Sequence, residues 1–176
     1  MTDAEALQRL VDRGQIVEVL NRYCRGVDRC DEAELADVYH EDGTDDHGTF
    51  SGRGKDFAVW ACKGAAEYWT ASHHTVHNVI IDWGAAGVAN VESYVLAFNR
   101  RVDRPDGASG RVEVFAGRYL DRFEQRDGRW RIAHRQALRD VDTLVNPESW
   151  AGRIPAGGRL PDDALYHRSD VGLDCG

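Results

Sequence analysis

The chain has 176 residues, 42% of them hydrophobic, a size that supports one well-buried core and excludes two ordinary domains. A formal net charge of −8 would repel a phosphate backbone, so nucleic acid is not expected as a partner. No apolar run approaches the roughly 18 to 20 residues that cross a bilayer, and "MTDAEALQRLVDRGQ" is charged and polar, so a cytoplasmic protein without membrane contact is expected.

From Ala4 to Val27 the apolar residues Leu7, Leu10, Val11, Ile16, Val17, Val19, Leu20, Tyr23 and Val27 recur at steps of three and four, the stripe of an amphipathic helix that ends near "GVDRCD". A shorter helix through "DEAELADVYH" is capped by Asp31, has Glu34 at the capping-box position, and turns Leu35, Val38 and Tyr39 inward. The polar, turn-rich "EDGTDDHGTFSGRG" has room for a short strand before a third helix with Phe57, Trp60, Ala61 and Ala65.

Beyond that helix the character changes. "HTVHNVIID", "VANVESYVLAFNRRV", "RVEVFAGRYLDRFEQRD" and "RWRIAHRQALRDVD" are rich in β-branched and aromatic residues, and turn signals at "WGAAG", "RPDGASG" and "RDG" separate them. Four consecutive antiparallel strands follow. Helices first and a meander after make an α+β domain over residues 1–143, with helices on one face of a curved sheet. From Leu144 on, prolines and glycines gather, and residues 144–176 read as an extended C-terminal arm, a pocket lid or an oligomer contact. Cys24, Cys30, Cys62 and Cys175 form no CxxC pair, so reduced thiols and no zinc site are expected.

The stretch "TASHHTVHNVIID" concentrates His73, His74 and His77. In a strand, four steps of about 3.3 Å would separate His73 from His77 by roughly 13 Å, too far to share a metal ion. Alternation sets His74, Val76, Asn78 and Ile80 on one face, His73, Thr75, His77 and Val79 on the other. If the first face lines a cavity, His74 and Asn78 are presented to a ligand; otherwise His74 binds a backbone carbonyl at the strand end. To act as a base His74 needs a carboxylate to fix its tautomer, and Asp28, just past the first long helix, is a candidate; its other reading is a helix-end turn residue.

"NRYCRGVDRCDEAELADVYHEDG", "DDHGTFSG", "HHTVHNVIID", "VESYVLAFNRR" and "GRYLDRFEQRDGRWRIAHRQ" together resemble the SnoaL-like branch of the nuclear transport factor 2-like superfamily, over roughly residues 5 to 142. The resemblance implies a cone-shaped α+β barrel, a strongly curved antiparallel sheet wrapped on about three helices around a deep pocket. Within it the sequence looks closest to lyases such as scytalone dehydratase, hexachlorocyclohexane dehydrochlorinase and bile-acid 7α-dehydratase.

The resemblance implies an Asp28–His74 catalytic dyad, with Tyr23 and His47 as further catalytic groups, although Tyr23 also reads as a core residue and His47 as an exposed one. It implies Arg135 as a pocket arginine sharing parity with Arg131 and Ala133, which leaves Trp130, Ile132 and His134 for an outer, oligomer-forming face. Asn99 stands where scytalone dehydratase has a second catalytic histidine. Trp60, Tyr68 and Trp69 are candidate apolar walls, Trp60 reading best as core.

The implied reaction needs no metal and no organic cofactor: an elimination, dehydration above all, from a hydrophobic aromatic or alicyclic small molecule. Isomerisation, polyketide-type cyclisation and retro-aldol cleavage would use the same dyad. A ligand carrier, or the small subunit of a ring-hydroxylating dioxygenase, is the non-catalytic reading. A homo-oligomer, dimer or trimer, is expected.

Overall fold

The structure is a computed structural model that describes residues 2–102 and 111–145. Most of the expected C-terminal arm, Cys175 and the "RPDGASG" turn lie outside the described residues.

The chain runs α1 (Asp3–Arg29), α2 (Glu32–Asp37), β1 (Tyr39–Asp46), β2 (Ser51–Arg53), α3 (Gly54–Tyr68), β3 (Trp69–Trp83), β4 (Val88–Arg101), β5 (Val112–Arg126) and β6 (Arg129–Val145). Thr2 and Glu5 close a capping box at the start of α1, each side chain accepting from the other's backbone N–H. Asp31 caps α2 by accepting from the Glu34 N–H at 3.0 Å. That helix stops at Asp37. Tyr39, expected on its inward face, instead opens a strand.

The strands form one open, mixed sheet in the order β2-β1-β6-β5-β4-β3. The meander β3 to β6 is antiparallel, while β1 runs parallel to β6, Asp45 opposite Arg135. Together they make the α+β cone. Ile16 and Leu20 from α1, Val91 and Val95 from β4, Phe123 from β5 and Ile132 from β6 form a continuous buried cluster between the helices and the sheet. Trp130 joins it, its indole N–H donating to Asp12 at 3.0 Å. By contrast Leu7, Leu10 and Val11, at the start of the α1 stripe, are exposed.

Irregularities in the ladder overturn two expectations about strand faces. On β6 the pairing skips Ala133, so that His134 faces Arg122 and Ile132 faces Phe123. One extra residue flips the alternation: Trp130 and Ile132, expected on the outer face, are buried, and Arg135 is buried with them on the inner one. On β3 the register slips between His77 and Ile80, and Asn78 adopts φ 48, a left-handed conformation that Asn tolerates better than most residues. Asn78 is exposed there, and Val79, not Ile80, packs against the core.

Candidate active site

The last turn of α1 buries Val27 and Asp28 before Cys30, at φ 52, ends the helix. A carboxylate at that position opposes the helix dipole and needs a partner elsewhere. The partner is His74 on β3. Its Nδ1–H donates to Asp28 Oδ1 at 2.6 Å, and its backbone N–H donates to Oδ2 at 2.9 Å. Both side chains are largely buried, 11% and 8% exposed. With Nδ1 committed to the carboxylate, a neutral His74 carries its lone pair on Nε2. Such an atom can accept a proton, and the aspartate beneath it stabilises the resulting imidazolium.

A second histidine–carboxylate pair stands elsewhere in the same site. Asp45, fully buried near the end of β1, accepts from the Tyr39 hydroxyl at 2.5 Å and from His47 Nδ1. His47 Nε2 lies 3.2 Å from the Tyr23 hydroxyl, and its ring stacks on Phe57 with centroids 4.5 Å apart. Burial pushes the phenols of Tyr23, Tyr39 and Tyr119 well above their ordinary range, so all three remain protonated. Asp45 and Tyr119 were not picked out from the sequence, and Tyr39 was read there only as an inward residue of the second helix. The signal that points to Asp45 is its spacing of two from His47, which puts both on one side of an extended chain.

Arg135 is not a pocket residue, contrary to what the resemblance implied. Its Nε and Nη2 both reach Asp121 at 2.7 Å, and its guanidinium lies 4.0 Å from the ring centroids of Tyr23 and Tyr119. Burial opposes its charge, but Asp121 holds it well above the usual arginine range. Burial likewise raises the Asp121 carboxyl, against the pull of Arg135.

A cavity of about 1150 Å³ opens between the helices and the sheet. Tyr23 and Val27 of α1, Phe57, Trp60, Ala61 and Tyr68 of α3, and Trp69, His74, Ala97, Asn99, Phe115 and Tyr119 of the sheet line it, together with His47. The structure therefore brings Tyr23, His47, His74, Asn99, Trp60 and Trp69 around one space and leaves Asn78 and Arg135 out of it. Trp60, expected in the core, is 44% exposed and tilts against Phe50 and Phe57 at the cavity wall. Trp69 donates its indole N–H to Glu113 at 2.9 Å. Asn99 is buried, and its Oδ1 has no partner among the described residues, which leaves an acceptor for a ligand's hydrogen-bond donor. A smaller cavity of about 360 Å³, lined by Asn21, Arg25, Arg29 and His73 among others, reaches Asp28 and His74 as well. Among the described residues, no three metal-ligating side chains converge.

No functionally curated protein matches the chain. Among solved structures, a type 2 hexachlorocyclohexane dehydrochlorinase superposes with a TM-score of 0.73 at 21% identity, covering 84% of this chain and 98% of its own. The type 3 enzyme from Novosphingobium barchaimii gives 0.71 at 22% identity, over 86% and 99%. A scytalone dehydratase-like protein from Novosphingobium aromaticivorans gives 0.67 at 24%, over 87% and 95%. At these identities the likeness establishes the fold. Residues 8–136 match the SnoaL-like domain as a sequence family, and the chain belongs to that family.

Proposed function

We propose that the protein is a cofactor-independent lyase that eliminates a leaving group from a hydrophobic aromatic or alicyclic small molecule. His74, oriented and charge-balanced by Asp28, is the general base. The observation that carries this reading is the double hydrogen bond from His74 to Asp28 at the wall of a largely apolar cavity. A scaffold has no use for a histidine whose free nitrogen is bordered by such a space. The dehydrochlorinase and dehydratase-like relatives support a reaction that starts with proton abstraction.

Removing a C–H proton places negative charge on the substrate, and groups that stabilise this charge contribute as much as the base itself. Tyr23, protonated and at the cavity wall, is one such donor. Trp60, Trp69 and Phe115 supply the apolar surface that receives the ring system. The reading includes a homo-oligomer, supported by Tyr94 and Phe98, which stand exposed on the outer face of β4.

The test uses tetralone-type bicyclic ketones in deuterated water, with deuterium uptake at the carbon next to the carbonyl and naphthol formation from β-substituted analogues as readouts. Uptake and elimination that are both lost in His74→Ala support the reading. Their absence from the wild-type protein, or their persistence in the variant, would overturn it in favour of a ligand carrier or a partner subunit.

A further inference from the structure

Two cysteines far apart in the chain meet in the fold. Cys30 ends α1 at φ 52, its backbone N–H bonded back to the carbonyls of Gly26 and Val27. Cys62 sits on α3 in the buried row that also holds Ala58 and Ala65. Both are thiols, and the Cys62 side chain is hydrogen-bonded to Cys30. Helix hydrogen bonds hold both backbones, so the two sulfurs are presented to each other as a fixed pair.

The two thiols are not equivalent. The bond to Cys30, then burial and the nearby carboxylates of Glu32 and Asp31, keep the Cys62 proton well above the ordinary thiol range. Cys62 therefore stays S–H, and Cys30 is the sulfur that ionises first. Cys30 is also the more accessible of the two, half-buried where Cys62 is 8% exposed. One thiol can meet a reagent from solvent while the other waits behind it. Cys24 has neither property: burial pushes its thiol up to about 12. Six residues along one helix also place Cys24 about 9 Å of rise from Cys30, beyond the roughly 7 Å between Cα atoms that a disulfide spans.

We propose that Cys30 and Cys62 form a reversible disulfide that staples the end of α1 to the middle of α3, with a low-molecular-weight disulfide of the glutathione type as oxidant. The Cys30 thiolate attacks one sulfur of the oxidant, whose S–S bond breaks. One half departs as a thiolate, and the other remains on Cys30 as a mixed disulfide. Cys62 then gives its proton to solvent and attacks the Cys30 sulfur, which forms the Cys30–Cys62 bond and releases the second half as a thiolate. Two electrons pass from the protein to the oxidant, which takes up the two protons and ends as two thiols.

The staple falls at a sensitive place. Cys30 is two residues beyond Asp28, and Cys62 follows Trp60 and Ala61, which line the large cavity. The bond ties the helix end that carries Asp28 to the α3 wall. It also closes a loop of about 32 residues in the unfolded chain, which raises the unfolding midpoint by about 5 to 15 °C.

The experiment incubates the reduced, folded full-length protein with oxidised glutathione at about pH 8.5, the ordinary thiol value. Remaining thiols are then alkylated, and peptides are mapped by mass spectrometry for the wild type, Cys30→Ser, Cys62→Ser and Cys175→Ser. The wild type and Cys175→Ser are expected to give a peptide pair joined through Cys30 and Cys62, and a midpoint raised by that amount until dithiothreitol is added. Cys62→Ser should instead keep glutathione trapped on Cys30, and Cys30→Ser should leave Cys62 a thiol. Recovery of Cys30 and Cys62 as thiols from the wild type would overturn the inference. So would a link through Cys24 or Cys175 in place of theirs, a link that forms only in denaturant, or a linked chain with an unchanged or lower midpoint.

Discussion

The Asp28 carboxylate holds His74 by ring and backbone at once, with Oδ1 2.6 Å from Nδ1 and Oδ2 2.9 Å from the main-chain nitrogen. The backbone bond fixes where β3 begins relative to the end of α1, and the ring bond fixes which nitrogen of His74 faces the substrate. Asp28→Asn keeps an acceptor for the backbone N–H but removes the charge that balances an imidazolium. Elimination is expected to fall by about 10²- to 10⁴-fold with little change in the unfolding midpoint. Equal activity of Asp28→Asn and wild type would show that His74 does not work as a charged intermediate.

Much of this was legible in the sequence, for physical reasons that differ between elements. The α1 stripe and the β-branched runs are local signals, and they place Tyr23 and His74 on the right elements, while Asp28, expected just past the first helix, lies in its last turn. β1 was not legible as the strand it is. Its residues Tyr39–Asp46 hold four acids and a glycine, and the strand exists because β6 offers it a parallel edge. With β1 unread, burial of Asp45 was invisible, and His47 looked as much like a loop histidine as a site residue. Single-residue bulges at Ala133 and beside Asn78 defeated strict alternation, which moved Arg135 under the cavity floor and Asn78 into solvent. A bulge depends on its partner strand, so period-two counting along one strand does not contain it.

Arg135 and Asp121 form an ion pair without solvent contact, and removal of one partner strands the other's charge. Arg135→Met and Asp121→Asn are each expected to destabilise the fold by about 3 to 5 kcal/mol. The double variant Arg135→Met/Asp121→Leu should recover most of that loss, because an apolar pair of similar volume leaves no charge behind. Denaturant midpoints of the three proteins check this. Additive losses in the double variant would contradict the pairing.

Tyr23, Tyr39 and Tyr119 carry phenols that burial pushes up from the ordinary value of 10.0. Their protons are held more tightly in the folded chain than in the unfolded one. Stability from these groups is therefore complete below about pH 10, the unfolded value, and is lost as pH rises above it. Each withheld proton steepens the loss by about 1.4 kcal/mol per pH unit. The Cys24 thiol, pushed by burial from 9.0 up to about 12, begins the same trend near pH 9. Tyrosinate absorbance should show these three phenols ionising in one step with loss of circular dichroism. Smooth ionisation of all tyrosines in a still-folded chain would contradict their burial.

Two glycines on α3 should respond to the same substitution with opposite sign. Gly54, the first residue of the helix, packs directly on Tyr39; a Cβ there would stand 2.2 Å from the ring's Cδ1 and 2.9 Å from its Cβ. Tyr39 is fully buried and cannot swing aside without disturbing its bond to Asp45. Gly54→Ala is expected to cost about 1 to 3 kcal/mol by overpacking and to lower activity through the displaced Asp45. Gly64, about one turn before the C-terminal end of the same helix, has nothing among the described residues within 4 Å of where its Cβ would be. There alanine removes a helix-interior glycine and gains about 0.8 to 1.0 kcal/mol. Denaturation curves of the two variants should shift in opposite directions, and a shift of both to lower stability would mean that helix α3 packs more closely around Gly64 than described.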